Sequence, residues 1–238
     1  MLPDRAIHDE DHRHPRASTR RFIQAETAPH FDRWETAGIV DRCFWDRAGA
    51  AGLFCPTVPE DFGGIGGDFR MNAVVAEDLA WSGFAGPAAD VSVHSDVCLG
   101  YLLSHATPEQ KARWLPGMVD GSAVCAIAMT EPGTGSDLQG IRTTAVRDGD
   151  DWVINGQKTL ISNGQHADPA IVVTRTAEGR GSGNMSRVVV EATRPGFRPD
   201  PNPDKLGQIS ANTSGLFLDT GRVPADNLLG IEGKARPC

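Results

Sequence analysis

The chain has 238 residues, with 23 lysines and arginines against 31 aspartates and glutamates, for a formal net charge of −8. That acidic balance offers no bulk attraction to nucleic-acid phosphates or anionic lipid, so no nucleic-acid partner is expected. No apolar run approaches the roughly 20 residues that a bilayer requires, and the opening MLPDRAIHDEDHRH mixes acids with bases and lacks an apolar stretch, so the expectation is no membrane insertion, no signal or transit peptide and a cytoplasmic location.

Up to about Gly121, apolar residues recur at helical spacing. The spacing predicts a helix over 17–36, through Phe22, Ile23, Phe31 and Trp34, and a second over 38–51 with Val40, Cys43 and Phe44 on one side. The Pro/Gly-rich LFCPTVPEDFGGIGGDF then predicts a loop. Its glycines 63, 64, 66 and 67 form no dinucleotide fingerprint, because no strand precedes them and no βαβ unit encloses them. Met71, Val74, Val75 and Leu79 mark an amphipathic helix, and 89–105 a largely buried one in which His94 and Ser95 read as core. Thr107-Pro108-Glu109-Gln110 supplies an N-cap, a proline at the first helical position and a capping-box glutamine. That helix carries Trp114 and Leu115 and is expected to end near Pro116-Gly117. His8, His12 and His14 beside Asp9, Glu10 and Asp11 look like a metal cluster, but composition favours a disordered tail with chance histidines.

Beyond Gly121 the pattern changes to short strands. AVCAIAM reads as a buried strand, and Thr143–Val146 with Trp152–Ile154 flank the hairpin signal Asp148-Gly149. Further strands are predicted at 158–162, 170–175, 187–191 and 214–218, with a mobile surface loop over 178–185. Short strands with turns between them indicate an antiparallel barrel or sandwich. Cysteines at 43, 55, 98, 125 and 238 form no CxxC pair, and Cys43, Cys98 and Cys125 sit among apolar neighbours. A reduced compartment, no disulfide framework and no metal site follow.

Two segments carry chemistry. In AIAMTEPGTGSD (126–137) an apolar strand runs into Thr130-Glu131-Pro132-Gly133-Thr134-Gly135-Ser136-Asp137, where glycines permit close backbone approach and hydroxyls gather. Such a turn suits a polar or anionic cofactor, although composition alone also fits an ordinary strand exit. INGQKTLISNG (154–164) holds an Asn-Gly turn, a short strand and Ser162-Asn163-Gly164, and alone reads as a hairpin.

In this order after a helical half, the two segments resemble the acyl-CoA dehydrogenase family, whose pattern is TEPG-[AS]-GSD followed by NG-x-K-x-[WF]-I-[ST]-NG. The resemblance extends through PEDFGGIGGD, SVHSDV, SDLQGIRT and FLDTGRVPADNLLG, covers about 200 residues, and is nearest the long-chain branch. It implies an α+β, multi-domain protein: an all-α helical domain over 1–121, an antiparallel β-barrel over 122–233, a non-homologous tail over 234–238, and the family's C-terminal four-helix domain absent. It implies FAD as cofactor, held by Ile127, Ala128, Met129, Thr130, Gly135, Ser136, Leu160, Ile161 and Ser162. Thr130 would bond the polar edge of the flavin, Ser162 would reach toward flavin N5, Leu160 would cover one face, and Ser136 would also meet the acyl-CoA. Leu160 departs from the family's Trp or Phe, forgoing about 0.5–1.5 kcal/mol of aromatic stacking.

The implied reaction oxidises an acyl-CoA to the trans-2-enoyl-CoA, as in fatty-acid β-oxidation, and passes electrons to an electron-transfer flavoprotein or similar acceptor. The implied assembly is a homo-oligomer, usually a tetramer. The family's Glu base belongs to the domain expected to be absent, so no catalytic residue is assigned in this chain, and Glu131 and Asp137 belong to the cofactor turn instead. Little activity is expected of the isolated chain. The competing readings are a catalytically dead fragment that binds flavin, acyl-CoA or a partner subunit, and a flavin monooxygenase on the same scaffold.

Overall fold

The computed structural model of the chain describes residues 5–178 and 182–235. Its first half is helical: α1 (Glu10–Phe22), α2 (Phe31–Ala37), α3 (Arg42–Ala50), α4 (Phe69–Trp81), α5 (Ala85–Ser92), α6 (Leu99–His105) and α7 (Pro108–Asp120). A π-turn at Ile23–Thr27 extends α1, and another at Val93–Cys98 joins α5 to α6, so the rod predicted over 89–105 starts four residues earlier.

The disordered tail expected around the N-terminal histidines is corrected. Asp9 caps α1 through the Asp11 amide and forms a capping box with His12. His12 is buried, and its Nε2 lies 3.1 Å from Asp68 at the start of α4. The acids that suggested a metal site or a solvated tail are cap and first-turn residues, where negative charge favours the helix end. Cys43 is a second correction. It is exposed, whereas Phe44, Trp45 and Ala48 form the inward face of α3. Cys55, Cys98 and Cys125 are buried free thiols, and Cys238 lies outside the described residues. The capping box at Thr107 forms as expected, but α7 runs past Pro116-Gly117 to Asp120 and closes at Gly121, whose φ is +79°. A Cβ at Gly121 would lie 2.1 Å from the Trp45 carbonyl oxygen, so glycine there also lets α3 approach α7.

The second half folds as β1 (Val124–Ala128), β2 (Thr144–Asp148), β3 (Asp151–Ser162), β4 (Ala167–Arg175), β5 (Met185–Glu191), β6 (Phe197–Pro199), β7 (Thr213–Pro224) and β8 (Leu228–Leu229). Hydrogen bonding runs β6-β7-β3-β2-β4-β5-β8, with β1 on β4. Most pairs are antiparallel, but β1 lies parallel to β4, and β2 meets β4 through one parallel bridge, Thr144↔Arg175. The intervening turn and the β2–β3 hairpin act as the crossover that parallel neighbours require. β1–β5 and β7 all send residues into one interior cluster, so the sheet wraps around a single core.

The opposite face of β1, β4 and β5 meets the helices. Cys125, Ile171 and Val189 join the helical core with Trp114, Leu115 and Met118. Strands buried on both faces carry continuous apolar runs, which explains AVCAIAM. The Asn155-Gly156 turn is a third correction. Both residues lie inside the 12-residue β3, at a bulge against β7 between Ile154 and Gly156. Pairing on both edges carries the strand through, and a Cβ at Gly156 would lie 2.4 Å from Thr143 Oγ1. In the loop expected at 178–185, residues 179–181 lie outside the described residues, Ser182–Asn184 form a 3-10 turn, and Met185 is already buried in β5.

Candidate functional site

Leaving β1, the chain closes a tight turn in which the Glu131 amide donates to the Thr134 carbonyl at 2.9 Å and the Thr134 amide to the Glu131 carbonyl at 3.0 Å. Pro132 and Gly133 form the tip, and Gly135, Ser136 and Asp137 stand exposed beyond it. The Glu131 side chain points inward. Its Oε1 accepts Lys158 Nζ and the Thr143 amide, both at 2.9 Å, and its Oε2 accepts the Arg142 amide at 2.6 Å. Lys158 Nζ also donates to the Met129 carbonyl at 3.1 Å, and the Thr159 amide donates to the Thr130 carbonyl at 2.9 Å. One fully buried lysine therefore locks the two motifs into a single unit.

Burial would push the Glu131 carboxyl up, but hydrogen bonds from Thr143, Lys158 and Arg142, with the charge of Lys158, hold it below its ordinary value. Burial draws the Lys158 ammonium below its usual range, with Glu131 opposing. Glu131 is an anion with its acceptor sites engaged, which does not suit it to abstract a proton.

Past Lys158 the β3–β7 register breaks again before Ile161. Leu160 takes φ +56° and is 63% exposed. For a leucine that left-handed conformation costs about 1–2 kcal/mol, and an apolar side chain held out on strained backbone is a mark of a binding surface. The arch is pinned at both ends. Thr159 bonds to Thr130, while Asn163 donates its amide to the Asn212 carbonyl at 2.8 Å and its Nδ2 to the Asp90 and Cys125 carbonyls at 3.0 and 3.2 Å.

Thr130 thus meets the start of the arch that carries Leu160 and Ser162, forming one ledge with Gly135 and Ser136 exposed beside the turn, while Met129 packs its side chain against Ile141, Val173 and Met185. Ala128 and Ile161 turn their side chains into the sheet interior, and Ile127 packs on the helical core, leaving backbone as what these three offer a ligand. Sequence reasoning missed Lys158, Thr159 and Asn163 as the groups that build the ledge; the signal was a lone lysine in an otherwise strand-like run. A cavity of about 310 Å³ lies under the turn, lined by Glu131, Pro132, Gly133, Thr134, Arg142, Thr143, Gly156 and Gln157. A larger one, about 570 Å³, lies between the end of α2 and residues 201–209 and includes none of the expected site residues. No helix among the described residues is long and apolar enough to cross a membrane.

A helical layer backs a curled sheet, and hydroxyls and an exposed aliphatic side chain stand together on one edge of it. Residues 9–122 match the family model for the acyl-CoA dehydrogenase N-terminal domain and 126–220 that for the middle domain. The mitochondrial long-chain specific acyl-CoA dehydrogenase of Mus musculus is 43% identical over 232 residues, 97% of this chain and 54% of the relative. A crystal structure of an acyl-CoA dehydrogenase from Geobacillus kaustophilus superposes with a TM-score of 0.92 at 42% identity, over 97% of this chain and 61% of that one. Another from Bacillus anthracis, complexed with FAD, gives 0.87 at 30% identity over 98% and 40%. The chain belongs to the acyl-CoA dehydrogenase family, a family of FAD-dependent oxidoreductases. It spans about half the length of the curated relatives it matches.

Proposed function

We propose that this chain forms the flavin-binding face of a long-chain acyl-CoA dehydrogenase, which oxidises an acyl-CoA thioester to the trans-2-enoyl-CoA. The observation that carries this is the Glu131–Lys158 clamp, which sets Thr130 beside the strained, exposed Leu160. The donor set fits FAD: hydroxyls at Thr130, Ser136 and Ser162 suit its polar edge and anionic tail, and the exposed Leu160 suits its ring. When bound, FAD would supply the acceptor for the hydride leaving the substrate β-carbon.

The residues have separable tasks in this reading. Thr130 and Ser162 orient the ring through its polar edge, with Ser162 directed toward N5. Leu160 excludes water from one face. Ser136, exposed past the turn, meets the pantetheine or adenosine portion of the acyl-CoA. No base is assigned within the 238 residues, because Glu131 is bonded to Lys158 and two amides and remains anionic. That engagement favours, as a second reading, a chain that binds flavin or acyl-CoA without turning substrate over. An electron-transfer flavoprotein is the proposed acceptor and a homotetramer the proposed assembly. Buried free thiols at Cys55, Cys98 and Cys125 favour a reducing, cytoplasm-like compartment.

A visible absorption spectrum of the purified chain, before and after FAD and a long-chain acyl-CoA, tests this. A bound-flavin band that persists on adding substrate is the expected result. Bleaching would show that a base is present after all. No band at any FAD concentration would overturn the flavin assignment for this chain.

A further inference from the structure

Asp90 lies on α5, in the seam between helices and sheet, and is 1% exposed. Its backbone carbonyl accepts Asn163 Nδ2, and its Oδ2 accepts the Asn212 amide at 2.9 Å. The Asn212 carbonyl in turn accepts the Asn163 amide. The end of β3, the entry to β7 and α5 thus close on one point. Four buried polar atoms there have no hydrogen-bond partner: Asp90 Oδ1, Asn163 Oδ1, Asn212 Nδ2 and Ser214 Oγ.

These atoms include donors, Asn212 Nδ2 and Ser214 Oγ, as well as acceptors, so what an ionised carboxylate would lack in this place is a cation. Among the described residues Asp90 forms no ion pair. Lys205, from the 201–209 segment, bonds to the Ala211 carbonyl instead, and Glu35 of α2 bonds to Ser210. His94, one turn along the same rod, is kept neutral by burial, which pushes it down to about 4. An unpaired buried charge is costly, whereas a neutral acid is both donor and acceptor.

We propose that Asp90 is a positioning residue, held as the neutral carboxylic acid because it is buried without a cation, which through Asn212 and Asn163 fixes the arch presenting Leu160 and Ser162. Burial, only partly opposed by the Asn212 amide and Lys205, pushes this carboxyl up to about 8, in keeping with the geometry. The functional half of this assignment rests on the flavin reading above; the proton and the pin do not.

The test compares the full 238-residue chain with Asp90→Asn, whose amide keeps one acceptor and one donor, and with Asp90→Ala, which removes both. Infrared spectra read the carbonyl stretch of a protonated acid, and hydrogen exchange reads the amides of 159–163. At pH 7 the unsubstituted chain is expected to show a protonated-acid band that Asp90→Asn lacks, vanishing with a midpoint near 8. Relative to Asp90→Asn, its 159–163 amides are expected to exchange about tenfold faster at pH 9 than at pH 7, the factor set by the one unit of pH between 7 and the acid's own midpoint, above which no further change is expected. Asp90→Ala is expected to lose protection at both. Absence of the band at pH 7, or an exchange ratio that ignores pH, overturns the proposal. Should Asp90→Asn fail to fold, the band and its midpoint in the unsubstituted chain still decide. FAD titration separates the two readings. Exchange that follows Asp90 in a chain that never binds FAD refutes the flavin reading alone. FAD binding that is equal at pH 7 and pH 9 breaks the link from Asp90 to the flavin.

Discussion

Lys158 shows how one side chain can build a site that it does not visibly touch. Its ammonium is fully buried and its partners come from a turn 27 positions earlier. Replacing it by Met leaves Glu131 an uncompensated buried anion, and losing one partner of such a pair costs about 3–5 kcal/mol. Urea unfolding of Lys158→Met is expected to show that loss; a cost within about 0.5 kcal/mol would mean that the clamp is ornamental. Leu160 makes the opposite prediction. Leu160→Gly relieves a left-handed φ, so stability is expected to hold or to rise by up to about 1 kcal/mol while FAD affinity falls. A variant both weaker in folding and unchanged in FAD binding would remove Leu160 from the site. The motif contains both Leu160 and Lys158, but the role of Lys158 was not legible in the sequence. A single charge within a strand gives no hint of burial until its distant carboxylate is known.

At the level of elements, legibility followed the locality of the signal. The start of α7 was readable because its cap, proline and glutamine lie within four consecutive residues, and the capping box forms as they specify. Gln110 does more than the box asks, since its Nε2 also donates to the carbonyls of Asp226 and Leu228 beside β8. Thr107→Ala is therefore expected to cost about 1 kcal/mol as a lost cap. Gln110→Ala is expected to cost more, because it also strands two carbonyls at the domain seam. Equal losses in thermal unfolding would show that those seam bonds contribute nothing. Elements fixed by tertiary partners were less legible. The first turns of α1 are polar and apolar-poor, and His12 is buried only because Asp68 and α4 are there to receive it. Asn155-Gly156 has hairpin composition, yet pairing with β2 and β7 on both edges overrides it. β6 and β8, at three and two residues, are too short to show any period.

Across the whole molecule, the helix–sheet seam holds buried titratable groups whose shifts oppose one another. His94 donates from Nε2 to the Met118 carbonyl and accepts the Cys125 amide at Nδ1, so it is a neutral tautomer with both nitrogens in use. His166 accepts Trp45 Nε1, and burial, reinforced by Arg42, pushes it down to about 4 as well. Between about pH 4 and the ordinary histidine value near 6.5, the unfolded chain holds these two protons and the folded chain does not, so stability rises with pH. Asp90 works in reverse. The folded chain keeps its proton up to about 8 while the unfolded chain releases it near 4, so this contribution is complete in acid and is lost as pH climbs. Asp96, raised by burial, acts in the same sense as Asp90. Glu131, held low, adds to the loss of stability in strong acid. The histidines hold their own below about 6.5, and Asp90 acts above it, so the urea midpoint is expected to peak near pH 6.5 and decline toward 8. Asp90→Asn is expected to flatten most of that decline and to be the more stable protein at pH 8. A midpoint that keeps rising from pH 6.5 to 8 in the unsubstituted chain would mean that Asp90 is ionised in the fold and that its seam is held together by something other than a proton.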